Sequence, residues 1–175
     1  MSEKTEIKQL GAEVLRQRAQ AVDDFTAQEF HALIDDLLRA MAVSEGVGIA
    51  APQIGVSWQV IVIASRSTAR YPHAPEMAPL VMINPRYQVV DDTVCKDWEG
   101  CLSVPGIRAL VPRFRAVAVD YQDVAGTPHT IELSDFPARV FQHEFDHLEG
   151  LVYLDRVETN HDIVAESEFF KRMAA

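Results

Sequence analysis

The stretch SDFPARVFQHEFDHLEG, from Ser134 to Gly150, is predicted to be a helix. Ser134 or Asp135 can cap the N-terminus of this helix, Pro137 is compatible with its first turn, and Gly150 can end it. Predicted strands precede this stretch and a short helix follows it. We therefore expect it to be the central helix of the fold.

Two further helices are predicted on either side of this segment. TAQEFHALIDDLLRAM (Thr26 to Met41) has apolar residues at helical spacing, and Thr26 with Glu29 matches the capping-box pattern. HDIVAESEFFKRM (His161 to Met173) is predicted as a terminal helix. The chain is thus expected to have N-terminal and C-terminal helices around its centre.

Runs of β-branched or alternating apolar residues predict four strands between these helices. They are Trp58–Ala64, Leu80–Pro85, Phe114–Asp123 and Thr130–Leu133. The stretch from Arg66 to Pro79 has three prolines and no periodicity, so a surface loop is expected there. This order favours an α+β fold over a parallel βαβ repeat: antiparallel β-sheets packed around a central helix, in a single domain of residues 1–175.

Composition restricts the classes of function. The 175 residues are 48% hydrophobic and 24% charged, as in ordinary globular proteins, and the net charge of −10 argues against a broad DNA-binding surface. No apolar run is long enough to cross a bilayer, and the start MSEKTEIKQL resembles neither a signal peptide nor a transit peptide. The sequence therefore predicts a cytoplasmic protein without membrane or DNA partners.

The central helix carries a possible metal site. His143 and His147 are four residues apart, so they lie on one helix face. Glu144 follows His143 directly and is rotated by about 100° from it around the helix axis. In a His-Glu-x-x-His motif the imidazoles bind a metal ion and the carboxylate removes a proton from the water that the metal activates. The alternative is a solvated helix face with ordinary histidines, and a third ligand would decide between the two.

Several residues could supply that third ligand. The downstream candidates are Glu149, Asp155, Glu158 and His161. A metzincin would need a histidine where Tyr153 stands, which excludes that class. Upstream, Cys101 lies in the loop-like segment WEGCLSVPG, where thiol and backbone can both face a ligand, although a small buried thiol is the alternative. That alternative suits Cys95 well.

The segment EGVGIAAPQIGV (Glu45 to Val56) could also approach a ligand. It fits a dinucleotide-binding glycine pattern, but it follows a helix and enters a strand, which is the wrong context for that fold. Gly46 and Gly48 would instead let the backbone approach a ligand closely. Gln53 could donate to a developing oxyanion, or it could simply cap a turn.

Three of these segments together resemble the signature motifs of the peptide deformylases. They are GVGIAAPQ (46–53), EGCLS (99–103) and QHEFDHLEG (142–150), in the family's order and with similar spacing. The start IKQLGAEVLRQRAQAV also resembles the family, so the likeness extends to about Leu154. The resemblance implies an enzyme that hydrolyses the N-formyl group from the formyl-methionine of nascent polypeptides and releases formate.

The resemblance also implies roles for individual residues. Cys101, His143 and His147 would bind one divalent metal ion, and Glu144 would be the acid and base. Gln53 and the backbone N–H of Leu102 would form the oxyanion hole. The metal would most often be Fe²⁺, with Zn²⁺, Ni²⁺ or Co²⁺ as possible replacements.

By the same resemblance, a substrate-binding pocket would accept the methionine side chain. Its expected residues are Gly46, Val47, Gly48, Leu102, Gly100, Phe136, Arg139 and Val140. The stem of Arg139 could cover this pocket while its charged head reaches water, or the side chain could point away from the pocket; we favour the first. Glu99 would pair with Arg108 or Arg113. Some relatives bind the ribosome through a basic C-terminal helix, but the acidic residues of the helix here make such a contact doubtful.

Overall fold

The computed structural model describes residues 6–67 and 72–174. In these ranges the α-helices are α1 (Gln28–Val43), α2 (Asp135–Leu148) and α3 (Glu166–Met173). The strands are β1 (Gly48–Ala50), β2 (Val60–Ser65), β3 (Met77–Cys101), β4 (Val104–Gln122), β5 (Pro128–Ser134) and β6 (Ile163–Ala165). Short 3-10 helices cover Glu13–Arg16, Ala51–Ile54, Tyr153–Arg156 and Asn160–Asp162.

The six strands form one connected sheet whose named pairs are all antiparallel. Its order is β1-β2-β3-β4-β5, and β6 pairs with the start of β4. The predicted α+β architecture is therefore confirmed, with a single sheet where several were expected. All four predicted strands overlap β2, β3, β4 or β5.

Strand β2 lies between helices α1 and α2, which explains its uninterrupted apolar sequence. Val60 and Val62 belong to the core that α1 covers, whereas Ile61 and Ile63 belong to the core that α2 covers. Successive side chains of a strand point to opposite faces, so a strand covered on both sides needs apolar residues throughout. Every residue of β2 is buried.

Helix α2 is fixed to the rest of the protein along its length. In its middle, the Gln142 side chain accepts a hydrogen bond from the Phe114 backbone N–H (3.0 Å) and donates one to the Phe114 carbonyl oxygen (2.8 Å). At its end, Gly150 has φ +74°, and the N–H of Leu151 donates to the Asp146 carbonyl (2.9 Å), which is a Schellman motif. The predicted stop at Gly150 is confirmed.

Two predicted helix starts differ from the structure. Helix α1 begins at Gln28 with Ala27 as its N-cap, and Thr26 hydrogen-bonds to Asp24 instead, so the predicted capping box with Glu29 is wrong. Ser134 is the N-cap of α2, as predicted, but its side chain makes no capping hydrogen bond. The side chains of Ser, Thr and Asp compete for several nearby backbone groups, which a sequence pattern cannot resolve.

The predicted terminal helix and the predicted loop are both shorter than expected. Residues 161–165 form the end of a 3-10 helix and strand β6, and α3 begins only at Glu166. Strand β3 begins at Met77, so the end of the predicted loop is strand, and residues 68–71 of that loop lie outside the described residues. Residues 1–5, which belong to the segment MSEKTEIKQL discussed above, also lie outside the described residues. Among the described residues, no helix is long and apolar enough to span a membrane.

Candidate metal centre

The three predicted metal ligands converge in the structure. Potential ligand atoms of Cys101, His143 and His147 all lie within 4.8 Å of one another. The Cys101 Sγ is 3.4 Å from the His147 Nε2. Cys101 is the last residue of β3, at the hairpin to β4, whereas the histidines lie on α2. A loop was expected around Cys101, and the structure corrects this to a strand end.

Glu99 fixes the orientation of the His143 ring through the Nδ1 atom. The His143 Nδ1 lies 2.8 Å from the Glu99 Oε2, deep in the protein. A ring that donates from Nδ1 to a carboxylate is left with Nε2 free to act as a ligand. His143 also stacks against the Tyr153 ring, with centroids 5.8 Å apart. These two contacts fix the orientation of the imidazole ring.

Glu99 belongs to a network of buried charges. The Arg113 guanidinium contacts it with two nitrogens, Nε at 2.9 Å and Nη2 at 3.0 Å, and Arg139 Nη1 lies 2.8 Å away. Arg113 also pairs with Asp146 (2.6 Å), which in turn pairs with Arg156 (2.7 Å). Of the two arginines predicted as partners of Glu99, the structure selects Arg113. The pair is buried and does not lie on the surface.

The charges around the histidines suit a cation. Although burial opposes ionisation, the guanidinium of Arg113 and the hydrogen bond from His143 hold the pKa of Glu99 far below its ordinary value. Burial also disfavours a protonated His143, yet its contacts with Cys101 and Glu99 raise its pKa well above the ordinary value. The ionised Glu99 carboxylate thus places a negative charge directly behind the His143 ring. Two imidazoles and one sulfur are also a common donor set for divalent transition metals.

Glu144 lies beside this cluster in the interior of the protein. Its side chain is buried, and its Oε2 has no hydrogen-bond partner among the described residues. Burial raises the pKa of the Glu144 carboxyl to about 7. A general base works best when its pKa is near the working pH, so Glu144 is suited to gain and lose a proton. A Cβ at Gly48 would clash with its Oε1, so only glycine allows this close approach.

Gln53 and Leu102 border the cluster away from helix α2. The Gln53 Oε1 accepts a hydrogen bond from the Ala50 N–H (2.9 Å), which fixes the amide orientation. Its Nε2 then donates towards the Ser103 Oγ (3.2 Å) and the Cys101 Sγ (3.5 Å). Leu102 lies in the turn after Cys101. A donor amide therefore points towards the Cys101 side of the cluster, and the oxyanion-hole role of Gln53 and Leu102 stays a prediction.

A cleft leads from the surface to these residues, and it contains all the predicted substrate-binding residues. It encloses about 590 Å³ of empty space, including its open mouth. Its lining includes the predicted residues Gly46, Val47, Gly48, Gly100, Leu102, Phe136, Arg139 and Val140. Two further lining residues, Glu45 and Trp98, were missed. Trp98 lies three residues before Cys101 on β3, and this proximity was the available signal.

Arg139 behaves differently from its prediction. Its side chain lines the cleft, but its guanidinium does not reach water, since only 7% of the residue is exposed. The guanidinium donates to the Glu99 carboxylate, to the Val111 carbonyl (2.9 Å) and to the Cys95 carbonyl (2.6 Å). A buried carboxylate and two carbonyls replace the lost hydration of the charge, which is why the head turns inward.

The antiparallel sheet, the His-Glu-x-x-His helix and the nearby sulfur define a class of protein, the metal-dependent hydrolases. The sequence model of the polypeptide deformylase family matches residues 4–162. Peptide deformylase 2 of Nostoc sp. is 49% identical over 163 residues, which is 93% of this chain and 91% of that protein. The chain belongs to the peptide deformylase family.

Solved structures agree with this membership. A Met-Ala-Ser-bound class I type b peptide deformylase from Acinetobacter baumannii has a TM-score of 0.86 and 38% identity, covering 90% of this chain and 100% of that one. A peptide deformylase from Synechococcus elongatus in complex with actinonin has a TM-score of 0.80 and 36% identity, covering 93% and 84%. The predicted family is confirmed.

Proposed function

We propose that this protein removes the N-formyl group from the formyl-methionine of new polypeptides and releases formate, using the cluster on α2 and β3. The observation that carries the assignment is the convergence of Cys101, His143 and His147 beside the buried carboxylate of Glu144. A metallopeptidase of another type would need a different third ligand. The downstream candidates Glu149, Asp155, Glu158 and His161 are not part of this cluster of described residues.

Cys101, His143 and His147 would hold a divalent ion, which would polarise the formyl carbonyl and activate water when bound. Glu144 takes the proton from the attacking water on its carboxylate and delivers it to the departing amine nitrogen. The Nε2 of Gln53 and the N–H of Leu102 donate to the carbonyl oxygen as negative charge develops there. Glu99 keeps the His143 ring in its ligand orientation throughout.

The methionine side chain is proposed to lie against the apolar part of the cleft. Val140 belongs to the core that α2 covers, and Phe136 and Val47 pack against the same core. The stem of Arg139 completes the wall, while its head stays in the buried charge network. Close glycine backbone at Gly46, Gly48 and Gly100 leaves room for the substrate backbone.

We propose Fe²⁺ as the working ion. Thiolate and imidazole ligands suit Fe²⁺ but bind Zn²⁺, Ni²⁺ and Co²⁺ as well, and affinity alone favours several of these over iron. Metal analysis and formate release should therefore be measured on the same anaerobic sample. Highest turnover per bound ion with Fe²⁺ supports the proposal, and equal turnover with Zn²⁺ contradicts it.

The proposed roles predict that Glu144→Ala abolishes turnover without releasing the metal. Removal of a general acid and base typically costs about 10²- to 10⁴-fold in rate. Formate release from formyl-Met-Ala-Ser and metal content should be measured on the same preparation. Undiminished activity would refute the role of Glu144, and loss of the metal would show that it serves the ion instead.

The proposed setting of this reaction is the cytoplasm, with nascent formylated chains as substrates. Helix α3 carries Glu166 and Glu168 against Lys171 and Arg172, and Phe169 is buried against the protein. We propose that α3 does not bind the ribosome electrostatically. Co-sedimentation with ribosomes at low salt tests this, since recovery in the pellet would contradict it.

A further inference from the structure

The C-terminal segment of residues 163–173, comprising β6 and α3, packs behind one wall of the cleft. It lies beyond residues 4–162, which match the family. Strand β6 pairs with Ile107–Ala109 of β4, which places α3 next to the end of β3. There, the buried ring of Phe169 meets the Trp98 ring edge to face, with centroids 5.4 Å apart.

Arg108 forms the second contact between this segment and the cleft wall. Its side chain is 1% exposed, its Nε donates to Glu166 (3.0 Å), and its guanidinium lies 5.3 Å from the centroid of the Phe169 ring. A Cβ at Gly100 would lie 2.9 Å from the guanidinium carbon of Arg108, so this guanidinium packs closely against the part of β3 that lines the cleft. Helix α3 therefore supports both Trp98 and Gly100 from behind.

Trp98 is the aromatic side chain through which the C-terminal segment contacts the cleft wall. It is half-buried, in contact with the Phe169 ring, and it also lines the cleft. The proposed function assigns the cluster at Cys101, His143 and His147 to the formyl group and the wall at Phe136 and Val140 to the methionine side chain. A half-buried aromatic ring in the cleft wall offers apolar contact area at a low entropic cost. With the formyl group and the methionine assigned elsewhere, the part of a peptide left to contact Trp98 is the part that follows the methionine.

We propose that Trp98 is a specificity-determining residue for the residues after formyl-methionine, and that Phe169 is a positioning residue that holds the Trp98 ring in place. This inference rests on the proposed deformylase function. It gives the C-terminal segment a role in substrate affinity, with no role in the chemical step. Among the described residues, no hydrogen bond joins α3 to Glu144, to Gln53 or to the metal cluster.

The test compares a short substrate with a longer one. Phe169→Leu removes the ring that supports Trp98 but keeps an apolar side chain. We expect KM for formyl-Met-Ala-Ser to rise about 3- to 10-fold, the size of effect that loss of an aromatic contact produces. The kcat value, the metal content and the KM for formyl-methionine amide should stay unchanged, because the inner site is not altered.

A matched control separates positioning from general destabilisation. Phe30→Leu also removes a buried ring in edge-to-face contact, with Phe25 at 5.5 Å, but on α1 in the other core. It should lower the melting temperature without changing either KM. Trp98→Leu should also raise KM for formyl-Met-Ala-Ser, and Trp98→Phe should retain most of the affinity for this longer substrate.

The outcomes distinguish this inference from the proposed function. An unchanged KM for formyl-Met-Ala-Ser in both Phe169→Leu and Trp98→Leu would overturn the inference while the wild type still deformylates. Equal rises in KM for the short and long substrates would overturn it as well. Failure of the wild-type protein, loaded with Fe²⁺, to release formate from either substrate would overturn the proposed function itself.

Discussion

Residue 48 shows how a missing side chain can set the position of a carboxylate. Gly48 has no positive φ, so its backbone conformation is open to any residue, and space alone requires glycine there. Glu144 occupies the volume that a Cβ would need. The glycine was predicted from its sequence setting as a point of close backbone approach to a ligand. In the structure it is the Glu144 side chain that approaches this backbone closely, and the approach of a ligand stays a prediction.

Gly48→Ala is therefore expected to displace the Glu144 carboxylate. The added methyl group would overlap Oε1, and a shift of about 1 Å in a catalytic group can cost on the order of 100-fold in rate. We expect kcat to fall at least about 10-fold with little change in metal content, because the atoms nearest to the added methyl group belong to Glu144 and to none of the ligands. Formate-release kinetics and metal analysis check this, and wild-type kcat would contradict it.

Glu99 is the residue on which the buried charges depend. Glu99→Gln keeps the shape of the side chain but leaves Arg113 and Arg139 facing a neutral amide. Breaking a buried charge pair in this way costs about 3–5 kcal/mol of stability, and loss of a metal ligand's supporting partner typically lowers metal affinity about 10- to 100-fold. Chemical denaturation and a competitive chelator titration measure the two effects.

Asp135→Asn is the matched control for that variant. Asp135 also faces an arginine, Arg115 at 3.4 Å, but the pair is exposed and should contribute less than about 1 kcal/mol. Stability loss in Glu99→Gln with unchanged metal affinity would show that Glu99 is structural only. The sequence pointed to Glu99 and Arg113, but not to Arg139 or Asp146 as their partners. The burial of a single charged side chain does not show in the pattern of apolar residues along the chain.

At the scale of elements, the two long helices end in the same way with different residues. In α2 the left-handed position is Gly150, whereas in α1 it is Glu45 at φ +53°. At the end of α1 the N–H of Gly46 donates to the Met41 carbonyl (3.1 Å), which completes a Schellman motif there as well. The glycine at the end of α2 was recognisable in the sequence. Glu45 in the same role was not recognisable, because this left-handed position is usually occupied by glycine or asparagine.

The end of α1 predicts a stabilising substitution. Glu45→Gly should stabilise the protein by about 0.5–1 kcal/mol, because glycine adopts the left-handed conformation without strain. Ala42→Gly, within α1, should destabilise it by about 1 kcal/mol and serves as the control. Thermal unfolding measures both, and a lower melting temperature for Glu45→Gly would contradict the assignment.

Gly150→Ala should be costly for two reasons. The alanine would be strained at φ +74°, and its Cβ would lie 2.9 Å from the Arg16 backbone. We expect a loss on the order of 3 kcal/mol, combining conformational strain with overpacking. Gly11→Ala isolates the first cause, since Gly11 has φ +108° but no atom lies within 4 Å of the position that a Cβ would take there. Equal losses for the two variants would exclude the steric contribution.

At the scale of the whole molecule, the sequence predicted the element types better than their extents. The apolar stripe of α1 and the runs in β2, β4 and β5 follow from periodicity, and each predicted segment overlaps the observed element, although β4 begins ten residues earlier, at Val104. Strand β3 extends to Cys101, and the long hairpin with β4 was missed, because several exposed residues between Arg86 and Asp97 interrupt the apolar pattern. Strand β6 was missed because its pairing with β4 is long-range, and such contacts are invisible to local patterns.

The burial of β2 on both faces has a consequence for how the protein unfolds. Because alternate residues of one strand serve both cores, neither α1 nor α2 can detach without opening the same hydrogen-bonded ladder to water. The amides of Ile61 to Ile63 should therefore exchange with deuterium only through global opening, at the slowest rate in the protein. Both helices should lose protection in one cooperative event as denaturant is added. Separate exchange transitions for the two helices would show that β2 does not join them into one unit.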